Sequence, residues 1–110
     1  MQAAINAEMQ EIRIVATLNH INPTAFAAYL DYEGFDDIED AAKEFQDRYA
    51  GTWDKLEAWA EEHADDTGML TDVPQDLRYY FDFAAWARDQ ELNGYIWTLE
   101  TAEGIAIFWR

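Results

Sequence analysis

Carboxylates recur at helical spacing along two segments of this sequence. In a predicted helix that begins at Ile38, the side chains of Asp40, Glu44 and Asp47 lie within about 60° of one another, opposite the apolar residues. A second predicted helix begins near Trp53 and carries a similar stripe within about 80°. That second stripe consists of Asp54, Glu57, Glu61 and Asp65. At 1.5 Å of rise per residue, such carboxylates stand about 4.5–6 Å apart, on the scale of the phosphates of one DNA strand.

The two stripes and the acids beside them define a candidate acidic surface for a partner. Its members are Asp36, Asp37, Asp40, Glu44, Asp47, Asp54, Glu57, Glu61, Glu62, Asp65 and Asp66. A plain solvated helix face is the alternative interpretation, because acidic helices commonly have one.

The net charge exceeds what solubility requires. The 110 residues include 23 acids against 7 Lys and Arg, which gives −16, whereas a small domain does well with a net charge of about 2–8. Like charges at i, i+4 each cost about 0.2–0.5 kcal/mol, so the stripes weaken the helices that carry them. We therefore expect a functional surface addressed to a basic cleft of a partner, with no direct binding of nucleic acid and no binding to membranes.

Other chemistry finds little support in the residue types. The acidic run over residues 31–40 lacks the glycine and glutamate positions of an EF-hand loop. His20 is expected in a loop and His63 on the apolar side of a helix, so both favour structural roles. There is no Cys and no Ser, which excludes thiolate metal sites and the usual nucleophiles. We predict no enzyme activity, no cofactor and no metal; an acidic hydrolase is the weakest alternative.

Periodicity and end signals predict the helices of the first half of the chain. Ile5, Met9, Ile12 and Ala16 favour a first helix, with a strand over residues 12–18 as the competing interpretation. The second predicted helix begins at Asn22 and Pro23 and ends at Gly34. The third begins at Asp36 and Glu39 and ends at Gly51. The fourth is capped by Thr52 and ends at Gly68.

The remaining residues predict a short helical turn and then a change of period. Pro74 begins the turn and Asp82 caps a helix over residues 83–91. Residues 95–101 and 105–109 are rich in aromatic and β-branched types and predict a hairpin, which must find a helix, a third strand or another subunit to be stable. We thus predict an α+β chain, mostly helical over its N-terminal two-thirds, followed by a helix and a C-terminal β-hairpin. Residues 1–35 form N-terminal helices of this single compact chain, and residues 36–110 the remainder.

The free edge and apolar side chains of this hairpin predict a homodimer. Trp97, Phe108 and Trp109 offer more apolar surface than one helix readily covers. The chain contains no apolar stretch long enough to span a bilayer and no signal-type N-terminus, so we expect a soluble, cytoplasmic protein.

Three blocks of the sequence resemble the ArdA family of antirestriction proteins, in the order in which that family has them. They are residues 45–68 (FQDRYAGTWDKLEAWAEEHADDTG), residues 77–100 (LRYYFDFAAWARDQELNGYIWTLE) and residues 105–110 (IAIFWR). The resemblance covers about residues 36–110 and is limited to a helical pattern before them. It implies a short form without the N-terminal α/β domain of longer members.

The resemblance implies a non-enzymatic DNA mimic encoded by a phage or other mobile element. Members of the family occupy the DNA-binding cleft of type I restriction–modification enzymes and are typically elongated acidic dimers. Their antirestriction motif corresponds to residues 42–51 here and is associated with the dimer interface, which adds Tyr49 to the predicted interface. An acidic protein–protein adaptor or antitoxin-like module, which would bind through its aromatic C-terminal part, is the alternative function.

Overall fold

The structure is a computed structural model that describes residues 2–110, with side chains described from Met9 onwards. The described residues form six helices and three strands, which confirms the predicted α+β class. In chain order the elements are α1 (Gln2–Leu18), α2 (Pro23–Glu33), α3 (Ile38–Arg48), β1 (Tyr49–Trp53), α4 (Leu56–Thr67), α5 (Gln75–Arg78), α6 (Phe83–Leu92), β2 (Ile96–Thr101) and β3 (Gly104–Trp109). None of the described helices is long and apolar enough to cross a membrane.

Most of the predicted helix ends are confirmed. The first segment is helical throughout α1, so the competing strand over residues 12–18 is wrong; Ile5 lies outside the residues whose side chains are described. The Asn22 side chain accepts hydrogen bonds from the backbone N–H groups of Thr24 and Ala25, and Gly34 ends α2. Gly68 adopts the left-handed conformation after α4, and the Asp82 side chain caps α6.

The segment from α3 to α4 differs from the prediction. The cap of α3 is Asp37, not Asp36, since Asp37 accepts from the N–H groups of its first turn. The helix ends at Arg48 rather than at Gly51, and Thr52 lies in strand β1 instead of capping α4. Pairing of β1 with a distant strand explains the difference, because it gives these backbone groups partners that local periodicity does not reveal.

The three strands form one antiparallel sheet in the order β1-β3-β2. Strand β3 is therefore central, because β1 pairs with it from Tyr49↔Phe108 to Trp53↔Ile105. Of the two hairpin strands, β2 remains at an edge of the sheet. The third strand is the partner that the hairpin needed. At the hairpin turn, Gly104 has a φ of +133°, and a Cβ there would stand 2.5 Å from the carbonyl oxygen of Trp53.

The sheet separates two hydrophobic cores, so the fold has three layers. Residues alternate along the strands: Trp97, Ala106 and Phe108 face a core that they share with α1, α2 and α3. Ile96 and Ile107 face the other core, which they share with α4 and α6. The molecule is elongated, with principal extents of 56 × 22 × 22 Å.

The first core contains one buried polar atom without a partner. The ring of Tyr29 packs against Phe45 and Phe108 at centroid distances of 5.5 Å each, and its hydroxyl has no hydrogen-bond partner among the described atoms. Burial raises the pKa of the Tyr29 phenol above its usual 10.0, and the positive charge of Arg48 opposes the shift.

Candidate DNA-mimic surface

The acidic stripe of α3 lies on the side of the helix that faces away from the core. Asp40, Glu44 and Asp47 are exposed, whereas Ile38 and Phe45 on the opposite side are buried. The arrangement follows from the helical period, since residues three and four apart share a face. The predicted stripe is therefore presented to solvent in one row.

The start of α3 joins the end of α2 in an acidic cleft. The cleft has a volume of about 420 Å³ and lies beside the turn at Gly34. Its carboxylates come from Glu33, Asp36, Asp37, Asp40 and Glu44. Glu33 was missing from the predicted surface, although its place in an acidic run before Gly34 was a signal that could have found it. Asp37 is partly committed to structure, because its carboxylate caps α3.

The stripe of α4 is less uniform than the sequence predicted. Glu61 and Asp65 are exposed on α4. Asp54 is also exposed, but it lies in the bend before α4, so its predicted place on this helix is wrong because β1 occupies the residues before it. Glu57 is half-buried and its carboxylate lies 3.7 Å from the Lys55 ammonium. Because this ion pair is largely exposed, it contributes little to the stability of the fold. It does lower the negative charge that this turn presents to a partner.

Glu62 and Asp66 lie one position round the helix from the α4 stripe. Glu62 accepts a hydrogen bond of 2.7 Å from the indole N–H of Trp53, so its carboxylate is held in place. Asp66 is exposed one turn later. Both carboxylates line a pocket with aromatic walls, whereas the carboxylates of the stripe lie on an open surface.

The structure does not bring the two stripes side by side. Helix α3 belongs to the core on one face of the sheet and α4 to the core on the other. Phe45 of α3 contacts Phe108 of the central strand, so the acidic side of α3 faces away from the sheet. The candidate surface thus consists of two rows on different sides of one elongated body.

The carboxylates of the surface are largely uncompensated. The Lys55–Glu57 contact is the one ion pair among the side chains from Met9 onwards. A net charge of −16 along 56 Å amounts to about one charge per 3.5 Å, close to the spacing of about 3.4 Å along one DNA strand. No group of three or more potential ligands in the described part of the chain is arranged to hold a metal ion.

The residues of the predicted dimer interface differ in their accessibility. Phe108 is fully buried and Trp97 is 8% exposed, because α2 and α3 cover this face of the sheet. Two helices thus cover these rings, where the sequence predicted that one helix would not suffice. Trp109 is 38% exposed and Tyr49 is half-buried, so these two have surface to offer a partner. The interface itself stays a prediction.

The histidines occupy structural positions. His20 lies in the turn after α1 with a φ of +57°. His63 is half-buried and stacks on Trp59 with ring centroids 5.2 Å apart.

Comparison with known proteins identifies a family for this chain. A family model described as "Antirestriction protein (ArdA)" matches residues 4–103, which includes the N-terminal third where the resemblance of the sequence was limited to a helical pattern. No curated protein and no solved structure matches the chain. The family is one of antirestriction proteins and not a known enzyme family, and it implies a restriction enzyme as the kind of partner. Because the match spans most of its 110 residues, the chain belongs to the ArdA antirestriction family.

Proposed function

We propose that this protein inhibits a type I restriction–modification enzyme by occupying its DNA-binding cleft as a DNA mimic. One observation carries the proposal: exposed carboxylates cover a narrow body of 56 × 22 × 22 Å, with an average net charge per unit length close to that of a DNA strand. Membership of an antirestriction family supports a restriction enzyme as the target, and the exposed carboxylates support this mode of binding.

The physical basis is competition for the same cations. A cleft that binds DNA holds Lys and Arg at positions that meet phosphates, and much of its affinity comes from the counterions released. Carboxylates on rigid helices present acceptors at a similar spacing and need no sequence readout. Because the stripes of α3 and α4 face away from both cores, a cleft can contact them without disturbing the fold.

Inhibition assays with matched charge variants test the proposal. Two triple variants neutralise the stripes. One is Asp40→Asn/Glu44→Gln/Asp47→Asn on α3, and the other is Asp54→Asn/Glu61→Gln/Asp65→Asn on α4 and the bend before it. A control variant, Asp72→Asn/Asp76→Asn/Asp89→Asn, removes the same charge from exposed positions outside the surface. We expect each stripe variant to lose most of the inhibition of DNA cleavage and the control variant to keep it.

A capture experiment tests competition directly. The target enzyme is bound to immobilised protein and then challenged with duplex DNA, which we expect to release it. Failure of duplex DNA to displace the enzyme, or equal loss of inhibition in the stripe and control variants, contradicts mimicry.

A protein–protein adaptor is the second candidate function, and one observation favours it. Tyr79 and Tyr80, at the end of α5, are 86% and 79% exposed, which is unusual for aromatic side chains without a partner. The adaptor would tolerate neutralisation of either stripe and would lose binding when both tyrosines are replaced by serine. The mimic would show the opposite pattern.

A further inference from the structure

A small pocket with aromatic walls opens beside α4, apart from the open acidic rows. Its volume is about 320 Å³, and it lies where α4 meets strand β1 and the end of β3. Three indole rings and two carboxylates contribute to its lining, namely those of Trp53, Trp59, Trp109, Glu62 and Asp66.

The walls of this pocket are held by packing. Trp59 is 2% exposed and meets Trp109 edge to face at 5.9 Å. His63 stacks on Trp59 and lies 5.6 Å from the ring of Trp109. Because each ring contacts its neighbours, the pocket does not need to be formed by its ligand.

The two carboxylates of the pocket have acceptor capacity to spare. Glu62 uses one oxygen to accept from the Trp53 indole N–H at 2.7 Å, which orients the group. Asp66 follows four residues later, so both carboxylates lie on one side of α4. In the described part of the chain, neither is paired with a Lys or Arg.

We propose that this pocket binds the guanidinium group of an arginine. A planar cation is favoured by aromatic rings together with the oriented Glu62 carboxylate and the Asp66 carboxylate beside it. Guanidinium combines weak hydration with the geometry to stack and to donate several hydrogen bonds. An ammonium group fits less well because it is more strongly hydrated and cannot stack. Neutral and anionic groups lack the charge complementarity.

The pocket also refines the mechanism. That the arginine belongs to the target enzyme rests on the proposed function, whereas the chemistry of the pocket does not. Evenly spaced carboxylates bind many basic clefts, but a pocket for one side chain favours a target that has an arginine at the matching position. The pocket would therefore add selectivity to an otherwise general electrostatic attraction.

A titration followed by NMR of the indole N–H groups tests the pocket without the target enzyme. The probe is N-acetyl-arginine amide; the controls are the corresponding citrulline amide, which is nearly isosteric but neutral, and the lysine amide. We expect the arginine probe to shift the Trp53 and Trp109 signals with saturation in the millimolar range. The lysine probe should bind more weakly, and the citrulline probe should produce no shift.

Two double variants on α4 separate the pocket from general charge. Glu62→Gln/Asp66→Asn removes the pocket carboxylates, and Glu61→Gln/Asp65→Asn removes an exposed pair at the same spacing one position away. We expect the first to weaken arginine binding at least about tenfold and the second less than about twofold, since only the first removes charge-assisted hydrogen bonds. Trp53→Phe, which keeps a ring but loses the bond to Glu62, should give a smaller loss.

Three results overturn the proposal: equal weakening by both double variants, equal binding of the citrulline probe, or no shift with the arginine probe up to about 50 mM, far above a millimolar dissociation constant. Near-UV circular dichroism shows whether each variant is folded, and Trp53→Phe provides an independent reading if a double variant is not. A pocket that binds arginine in a protein without inhibitory activity contradicts the proposed function alone. Inhibition without arginine binding contradicts the pocket alone.

Discussion

The salt dependence of target binding follows from the charge spacing of the structure. About one net charge per 3.5 Å corresponds to the spacing of a single DNA strand and is half as dense as the duplex, which carries one per about 1.7 Å. Single strands release about 0.7 counterions per neutralised charge, and the duplex about 0.9. We therefore expect a log–log salt slope with the sign seen for DNA but a smaller size.

Neutralising one stripe turns this into a quantitative prediction. Asp40, Glu44 and Asp47 are exposed and form one row on α3. If a cleft contacts all three, replacing them with Asn, Gln and Asn should reduce the magnitude of the slope by about 2, because three contacts each contribute about 0.7. The measurement is the dissociation constant for the target enzyme, taken by fluorescence anisotropy between about 50 and 300 mM salt, a range over which screening changes substantially.

The control variant at Asp72, Asp76 and Asp89 carries the same change in net charge. Its slope should match that of the wild type, because residues outside the contact release no counterions on binding. A flat salt response of the wild type refutes the electrostatic reasoning altogether. A slope reduced equally by both variants shows instead that net charge, and not the row on α3, controls binding.

Three further predictions concern the fold and assembly. Tyr29→Phe should raise the free energy of unfolding by about 1 kcal/mol in urea titrations, since it removes a buried hydroxyl without a partner. The gain should widen above pH 10, because the raised pKa of Tyr29 gives the wild type an additional loss of stability as the Tyr29 phenol ionises in the unfolded state. Tyr32→Phe, at a 64% exposed position, is the neutral control. Gly104→Ala should cost about 2 kcal/mol or more in thermal unfolding, because its Cβ would stand 2.5 Å from a carbonyl oxygen at positive φ. Sedimentation equilibrium should show a dimer that tightens as salt screens the two acidic subunits; a species near 12.8 kDa at micromolar concentration in both low and high salt contradicts this.

Local sequence signals were sufficient to predict most of the helices but not strand β1. Asn22, Gly34 and Asp82 mark helix ends through contacts within a few residues, so their types alone predict those ends. Strand β1 could not be found this way, because Tyr49 continues the apolar stripe of α3 and Gly51 resembles a helix stop. What decides its structure is pairing with β3, more than fifty residues away in the sequence. The requirement of the hairpin for a third strand was the available clue.

The candidate surface was predictable in its rows and not in its arrangement. Helical period places Asp40, Glu44 and Asp47 on one face without any knowledge of the fold. Other carboxylates of the surface have contacts that depend on the tertiary structure or on side-chain geometry. The Trp53 indole, for example, reaches Glu62 only because β1 lies beside α4. The burial of Trp97 likewise depends on α2, which packs against this face of the sheet.

The layered fold explains how the chain tolerates its charge. The apolar sides of α3 and α4 pack toward opposite faces of one narrow sheet, so their acidic sides point away from each other. Two cores and the sheet separate the rows, and this thickness exceeds the Debye length of about 8–10 Å at moderate salt. Repulsion between the rows is therefore screened, and what remains acts mainly within each helix, at about 0.2–0.5 kcal/mol per i, i+4 pair. The packing that separates the two rows lowers the repulsion between them. The same packing exposes both rows to solvent, so their carboxylates are accessible to a basic cleft.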